Sequence, residues 1–338
     1  MAVLLGFLKI IFLIGFLIFI HEGGHFLAAK FCKVKVEQFC IGFGPKIFTK
    51  KGKETQYSLA LIPLGGFVEM AGEYGKTEEP RAFSKAKLWQ RILIVIAGPM
   101  VNIVFALIVF FGLGWFTGDV PTNIVDKPVA GIENVSPNII SGDEICAING
   151  MKVNRRNDMA KALSKVNENE EVTVSIIRNG ENIEVKAKPI NYHGMLIMGY
   201  ELKTVSDTNT KDKLYYTFWE TYDFGMSVFH NLKLLFTGAV GLDDMAGPIG
   251  ISQVVATSEG VNDFIYLLCL ISLSLGVMNL LPIPALDGGR LLLLIIEGIR
   301  GKALKEELEA ALSSAGFILL ILLSIIIACN DLMRLIKF

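Results

Sequence analysis

From Ile10 to Ile20 the chain is unbroken apolar sequence, and it runs straight into His21-Glu22-Gly23-Gly24-His25. An apolar stretch of this kind at the head of a longer one, Ala2 to Lys30, folds as a membrane helix. Ionisable groups inside such a helix are costly and mark function. On a helix, His21 and His25 are one turn apart on the same face, with Glu22 beside them. Two imidazoles so placed hold one zinc ion, and the adjacent carboxylate takes a proton from water. The same His-Glu-x-x-His spacing arises by chance on soluble surface helices; inside a span that reading is weak. Two glycines within a helix cost about 1 kcal/mol each relative to alanine. Gly23 and Gly24 therefore predict that something approaches this backbone closely.

The remainder of the chain fits a polytopic membrane protein with a smaller polar part, since 52% of its 338 residues are hydrophobic. Net charge is −1, which excludes a global basic field for nucleic acid. The five cysteines show no C-x-x-C spacing, so neither a disulfide framework nor a cysteine zinc site is expected. Lys9 lies inside the first apolar run and no small-x-small site follows it, so that run reads as a retained span rather than a signal peptide. Three more spans are expected, at Ile92 to Phe116, Phe264 to Leu286 and about Ala310 to Cys329. Lysines and arginines crowd the loop after the first span (Lys30 to Arg91) and the loop after the third (Arg300, Lys302, Lys305). Both loops are expected on the cytoplasmic side, with the N-terminus and the polar region between spans two and three outside. Arg334 and Lys337 run against an external C-terminus.

The loop after the first span has strand patterning. Val34 to Phe48 alternates and contains Gly42-Phe43-Gly44-Pro45, and Gln56 to Met70 reads as strand, turn, strand. So apolar a hairpin either packs on its own loop or dips into the membrane beside the first helix. An open edge there would pair with an extended peptide. Between Val125 and Pro189 lies a polar module. Gly131 to Val135 reads as a strand, Ser136-Pro137-Asn138 as a turn, Asn157 to Val166 as a helix, and Asn179-Gly180 as a two-residue hairpin turn. Its Gly142-Asp143-Glu144-Ile145-Cys146-Ala147-Ile148-Asn149-Gly150 run resembles a bacterial PDZ domain, in one copy, which implies a peptide groove. Asp212 to Phe236 is an aromatic-rich amphipathic helix, either at the membrane interface or packed on the module. Gly247-Pro248-Ile249-Gly250 reads as a turn before the third span.

Two histidines leave a catalytic zinc one protein ligand short. His193 and His230 fall in the external region on this map. The strongest candidate is Asp287, in Asn279-Leu280-Leu281-Pro282-Ile283-Pro284-Ala285-Leu286-Asp287-Gly288-Gly289-Arg290. Pro282 and Pro284 break a helix, and Gly288 and Gly289 admit close backbone approach. Alone, Asp287 reads more readily as a solvated carboxylate at a helix C-terminus; paired with His-Glu-Gly-Gly-His it reads as a ligand.

These two motifs together resemble the site-2 protease family of intramembrane zinc metalloproteases. With four spans and one external PDZ-like module, the chain is similar to the branch containing the bacterial regulator of sigma-E protease. Ala97-Gly98-Pro99-Met100-Val101-Asn102 and Gly42-Phe43-Gly44 are similar to further family motifs. The resemblance implies a polytopic α-helical membrane protein with four transmembrane helices, a membrane-associated β-hairpin loop (34–75) and one extracytoplasmic PDZ-like α/β domain. Its parts would be a first membrane half (1–117), the PDZ-like domain (118–205), an aromatic connector (206–258) and a second membrane half (259–338). It implies Zn²⁺ held by His21, His25 and Asp287, with Glu22 as general base. It also implies regulated intramembrane proteolysis of single-span proteins in the bacterial inner or plasma membrane, anti-sigma factors or remnant signal peptides among them. Asn102 and Asn279 would contact substrate, although buried asparagines serve equally as helix–helix hydrogen bonds. The apolar loop with Gly65 and Gly66 would hold the unwound substrate. The PDZ-like groove would take peptide C-termini or pre-cut substrates, and the remaining contacts would be to membrane lipid. The zinc would lie near the cytoplasmic side. A transporter is the rival reading of intramembrane His, Glu and Asp; the chain has no internal repeat to support it.

Overall fold

The structure, a computed structural model, describes residues 2–336 apart from 74, 76, 130–135, 168–169, 193–194, 238–246, 259 and 303–305. In chain order, α1 (Ala2–Phe31) leads to β1 (Val36–Lys51), β2 (Gln56–Met70) and α2 (Leu88–Thr117). A polar region follows, built of β3 (Pro121–Pro128), β4 (Glu144–Ile148), β5 (Met151–Lys152), α3 (Arg156–Leu163), β6 (Val172–Arg178), β7 (Glu181–Ala187), β8 (Ile190–Tyr192), β9 (Met195–Ile197) and β10 (Tyr200–Thr204). Among the described residues, α4 (Thr210–Phe236), α5 (Pro248–Thr257), α6 (Val261–Asn279), α7 (Asp287–Arg300) and α8 (Glu306–Ile336) follow. Two compact units result, Met1–Phe110 with Gly225–Phe338, and Phe111–Phe224.

Among the described residues, four helices are long and apolar enough to cross a membrane: Leu4–Phe31, Leu88–Thr117, Val261–Asn279 and Glu307–Met333. Helices suit lipid because every backbone group is satisfied within the segment. The chain is thus a multi-pass membrane protein. The third span stops at Asn279, short of the expected Leu286. Pro282 and Pro284 lack the N–H groups a continuing helix needs, so 280–286 is a turn region and the chain restarts as α7.

In the first unit, β1 pairs with β2 on two sides. Val36 to Ile41 pairs with Met70 to Gly66, and Gln38 to Ile41 also aligns with Gln56 to Leu59. Lys46 to Lys51 pairs in turn with Ala60 to Gln56. β2 redirects at Gly65, whose φ of +117° a side-chain-bearing residue rarely adopts. The base of this sheet is apolar and closed: Val34, Val36, Phe39, Val68 and Met70 share a core with Ala29, Ile94, Val95 and Leu294. Its far end is apolar and open, with Ile47, Phe48, Leu59 and Leu61 exposed.

Gly247-Pro248 opens α5 rather than forming the isolated turn expected from the sequence. Proline is tolerated in a first helical turn because its missing N–H has no partner to lose there. The free amides of that turn are met from outside: Gly247 and Gly250 each donate to the Asp331 carboxylate of α8, both at 3.0 Å. At the other end of α5, Lys9 of α1 donates to the Ser258 carbonyl at 2.5 Å. An acid at the N-terminus and a base at the C-terminus both suit the helix dipole.

The second unit is a sheet in the order β10-β3-β4-β6-β7, with β5 added on β4. Val125, Ile145, Ile148, Val174 and Ile176 form its core, and Met159, Ala162 and Leu163 of α3 pack onto it. The β6–β7 turn has Asn179 and Gly180 at φ of 53° and 86°, the paired positive values of a tight hairpin. The strand expected over Gly131 to Val135 lies outside the described residues. Arg178 donates to both Asp143 oxygens, at 2.7 and 2.8 Å, and this holds the Asp143 carboxyl below the usual carboxylate range. The first half of α4 packs on this unit through Tyr216, which donates to Asn123 at 2.6 Å, and through Trp219 under the Arg155 guanidinium. Tyr215, Phe218 and Tyr222 on the same helix remain exposed.

Candidate metal centre

Helical spacing puts His21 and His25 on one face of α1, and the turn after α6 brings Asp287 to them. The two Nε2 atoms are 3.3 Å apart, and Asp287 Oδ2 lies 3.2 Å from the first and 3.4 Å from the second. Ligands about 2.0–2.1 Å from a zinc ion at tetrahedral angles lie about 3.3–3.4 Å from one another. The three atoms therefore outline one face of a zinc tetrahedron. The donor chemistry agrees. His25 Nδ1 donates to the Ile94 carbonyl at 2.8 Å, which can only accept, so Nε2 of the neutral ring keeps its lone pair. Two nitrogens and a carboxylate oxygen converging this closely form a group that could hold a metal ion. Among the described residues, no other group of three His, Cys, Asp or Glu side chains could hold a metal.

Close packing explains several glycines. A Cβ at Gly24 would lie 2.5 Å from the Ala97 carbonyl oxygen, so α1 and α2 touch backbone to backbone there. Gly23 has open space instead, so only one of the pair meets the expected approach. A Cβ at Gly98 would lie 2.2 Å from His25 Nε2. Gly98 thus makes room for a ligand ring, a role its sequence motif did not disclose. Gly288 and Gly289 let α7 fold back on the turn before it, where a Cβ would meet the Leu281 and Ile283 carbonyls at 2.1 and 2.3 Å. Ala285, at φ +78°, holds that turn in a left-handed conformation costly for a non-glycine residue. Asp287 is the first residue of α7, rather than the last of the third span.

The other site candidates distribute as follows. Glu22 sits against β2: a Cβ on Gly66 would lie 3.0 Å from Glu22 Cγ. Gly65 faces the Phe43 ring. Asn102 lies one turn beyond Gly98 on α2, fully buried, with both carboxamide atoms unpartnered. Its backbone carbonyl accepts the Ser272 hydroxyl of α6 at 2.9 Å. Asn279 is the half-buried last residue of α6. His230 is exposed on α4, and His193 lies outside the described residues.

Spans built around a His₂Asp donor set with a neighbouring glutamate define a membrane-embedded metalloprotease. Comparison with known proteins makes the family specific: the chain belongs to peptidase family M50, whose family model matches residues 9–323. It is similar to a Clostridium acetobutylicum protein whose name assigns it to the zinc metalloproteases, 36% identical over 329 residues and covering 96% of each chain. It is also similar to the regulator of sigma-W protease RasP of Bacillus subtilis, 30% identical, covering 96% of this chain and 97% of that one. The zinc metalloprotease RasP of Shouchella clausii is 29% identical, covering 99% and 100%. The Bacillus alignment runs over 416 positions against a chain of 338 residues, so that relative carries inserted sequence. The chain is a zinc metalloprotease of the site-2 type.

Proposed function

We propose that this chain cleaves transmembrane segments of single-span membrane proteins, with His21, His25 and Asp287 as the zinc ligands and Glu22 as general base. The observation that carries this reading is the triangle of His21, His25 and Asp287 atoms, two of them on a membrane helix that also carries Glu22. Zinc, when bound, supplies Lewis acidity that makes water acidic near neutral pH and polarises a peptide carbonyl. Glu22 takes the proton from the attacking water and passes it to the leaving amine. Ile94 fixes the His25 tautomer. Asn102 and Asn279 stand as donors for the substrate backbone; the unpartnered carboxamide of Asn102 supports this for the first of them.

A helical substrate hides its carbonyls in its own hydrogen bonds, so it must be held unwound. Residues 66–70 of β2 pair on one side with β1, and Gly66 lies beside Glu22. That strand is the edge on which an extended substrate adds. The exposed Ile47, Phe48, Leu59 and Leu61 fit a hairpin that dips into lipid. The charge distribution favours loops 34–75 and 300–305 on the cytoplasmic side, with the zinc near that side and the polar unit outside. The polar unit serves as a PDZ-like filter for pre-cut substrates. By analogy with the sigma-W regulator, the substrates include membrane-bound inhibitors of sigma factors.

In liposomes containing the purified chain and a single-span model substrate, 1,10-phenanthroline is expected to abolish cleavage and added zinc to restore it. Cleavage that survives chelation would sink the metalloprotease chemistry proposed for these residues. The filter has its own test. Excising 121–204, the limits of β3 and β10, is expected to let full-length and pre-cut substrates be cut at similar rates. Undiminished preference for the pre-cut form would remove the filter role.

A further inference from the structure

Asp287 opens α7, and two charged residues further along that helix meet partners on other elements. Glu297 accepts two bonds from Arg91 of α2, at 3.0 and 2.5 Å. Arg290 donates through Nη1 to Glu73 Oε1. The second of these pairs bears on the site. The Glu73 side chain is only 6% exposed, so its charge is out of water and must be answered there. Its other oxygen, Oε2, accepts the N–H of Met70, the last residue of β2, at 3.1 Å. The Arg290 guanidinium also lies over the Phe83 ring, 4.8 Å from its centre. Phe83 in turn donates its N–H to the Ala71 carbonyl at 2.8 Å. One carboxylate therefore grips the end of β2 by its backbone and α7 by its guanidinium. At the other end of the same short strand, Gly66 rests against Glu22. The segment 66–70 has the general base at one end and, through Glu73 and Arg290, the turn carrying Asp287 at the other.

We propose that the Glu73–Arg290 pair is a latch that couples a peptide docked on residues 66–70 to the placement of Asp287 in the metal site. The proposal rests on the assignment of that strand as the substrate edge and of Asp287 as a ligand. Both latch residues are positioning residues; neither is among the three ligands. A buried ion pair suits this task because it has no comfortable half-broken state: separation leaves a charge uncompensated. Arginine suits it better than lysine, since the planar fork binds the carboxylate while its face stacks on Phe83.

The test uses the full-length chain in detergent with cobalt(II) in place of zinc, because visible absorption reports the ligand set without turnover. Glu73→Gln and Arg290→Gln are each expected to shift the cobalt band and weaken metal retention against a chelator about 10–100-fold. With zinc, each lowers kcat on a single-span model substrate by a similar factor and leaves KM little changed. The double variant is expected to be no worse than either single one, as for two members of one interaction. Arg290→Lys, which keeps the buried charge, recovers part of the loss. In a Glu22→Gln background the substrate shifts the cobalt band, and adding Glu73→Gln removes that shift. Wild-type cobalt spectra in the single variants, additive losses in the double variant, or a substrate shift that survives Glu73→Gln would each overturn the latch. Undiminished metal retention in His21→Ala would instead overturn the ligand assignment beneath it.

Discussion

Glu22→Gln is expected to keep one zinc ion per chain and to lose cleavage. The substitution preserves the size of the side chain and its place against Gly66, and the three ligand atoms are untouched. It removes only the capacity to take up a proton from water and hand it on. General acid–base catalysis contributes about 10²–10⁴ in rate, or about 3–5 kcal/mol of barrier, so the variant falls by at least that factor. Zinc content by atomic absorption and single-turnover cleavage in liposomes measure the two halves separately. A variant that retains both zinc and the wild-type rate would remove Glu22 from the chemistry. A transporter behaves differently under the same substitution: vesicles would show metal flux with no cleavage from either form.

Asp287→Ala is expected to empty the site. It removes the one proposed ligand that does not come from α1, and leaves two imidazole Nε2 atoms 3.3 Å apart without the carboxylate oxygen that completes the triangle. Loss of partners that merely orient a ligand costs about 10–100-fold in metal affinity; loss of the ligand itself costs at least the upper end of that range. Zinc content after desalting should fall from one per chain to a small fraction. Cleavage should fall with it, while the helical circular dichroism stays that of the parent chain. Retained stoichiometric zinc would mean that another side chain completes the site.

The convergence of the candidate site was legible in sequence because its signals are local. His21, Glu22 and His25 share one turn of helix, so spacing alone places them together. Asp287 became a candidate through its pairing with that motif, while the prolines and glycines around it marked the break in the chain, since each of those residue types has a backbone consequence. The Asn179-Gly180 hairpin was legible for the same reason. What escaped depends on contacts between distant segments. Gly98 makes room for His25 across 73 positions of chain, a relation no periodicity carries. α7 escaped because the prolines before it signal the end of a helix, while nothing local announces that another begins at once. α5 escaped because its amides are capped by Asp331, a side chain 81 or more positions away, rather than by a residue at its own start. Glu73 and Arg290 look like two ordinary charged loop residues until β2 and α7 are folded together.

The clamp on α5 has a consequence for how the chain is made. Lys9 lies on α1 and Asp331 on α8, with α5 between them in the chain. Each finds its partner at one end of a ten-residue helix translated between them. Synthesis runs from the N-terminus, so the Lys9 amino group is made before its acceptor on α5, and the amides of α5 before the Asp331 carboxylate. A chain cut short before α8 therefore leaves the Gly247 and Gly250 amides without the carboxylate that receives them. The clamp at the start of α5 can therefore close only once α8 has been made.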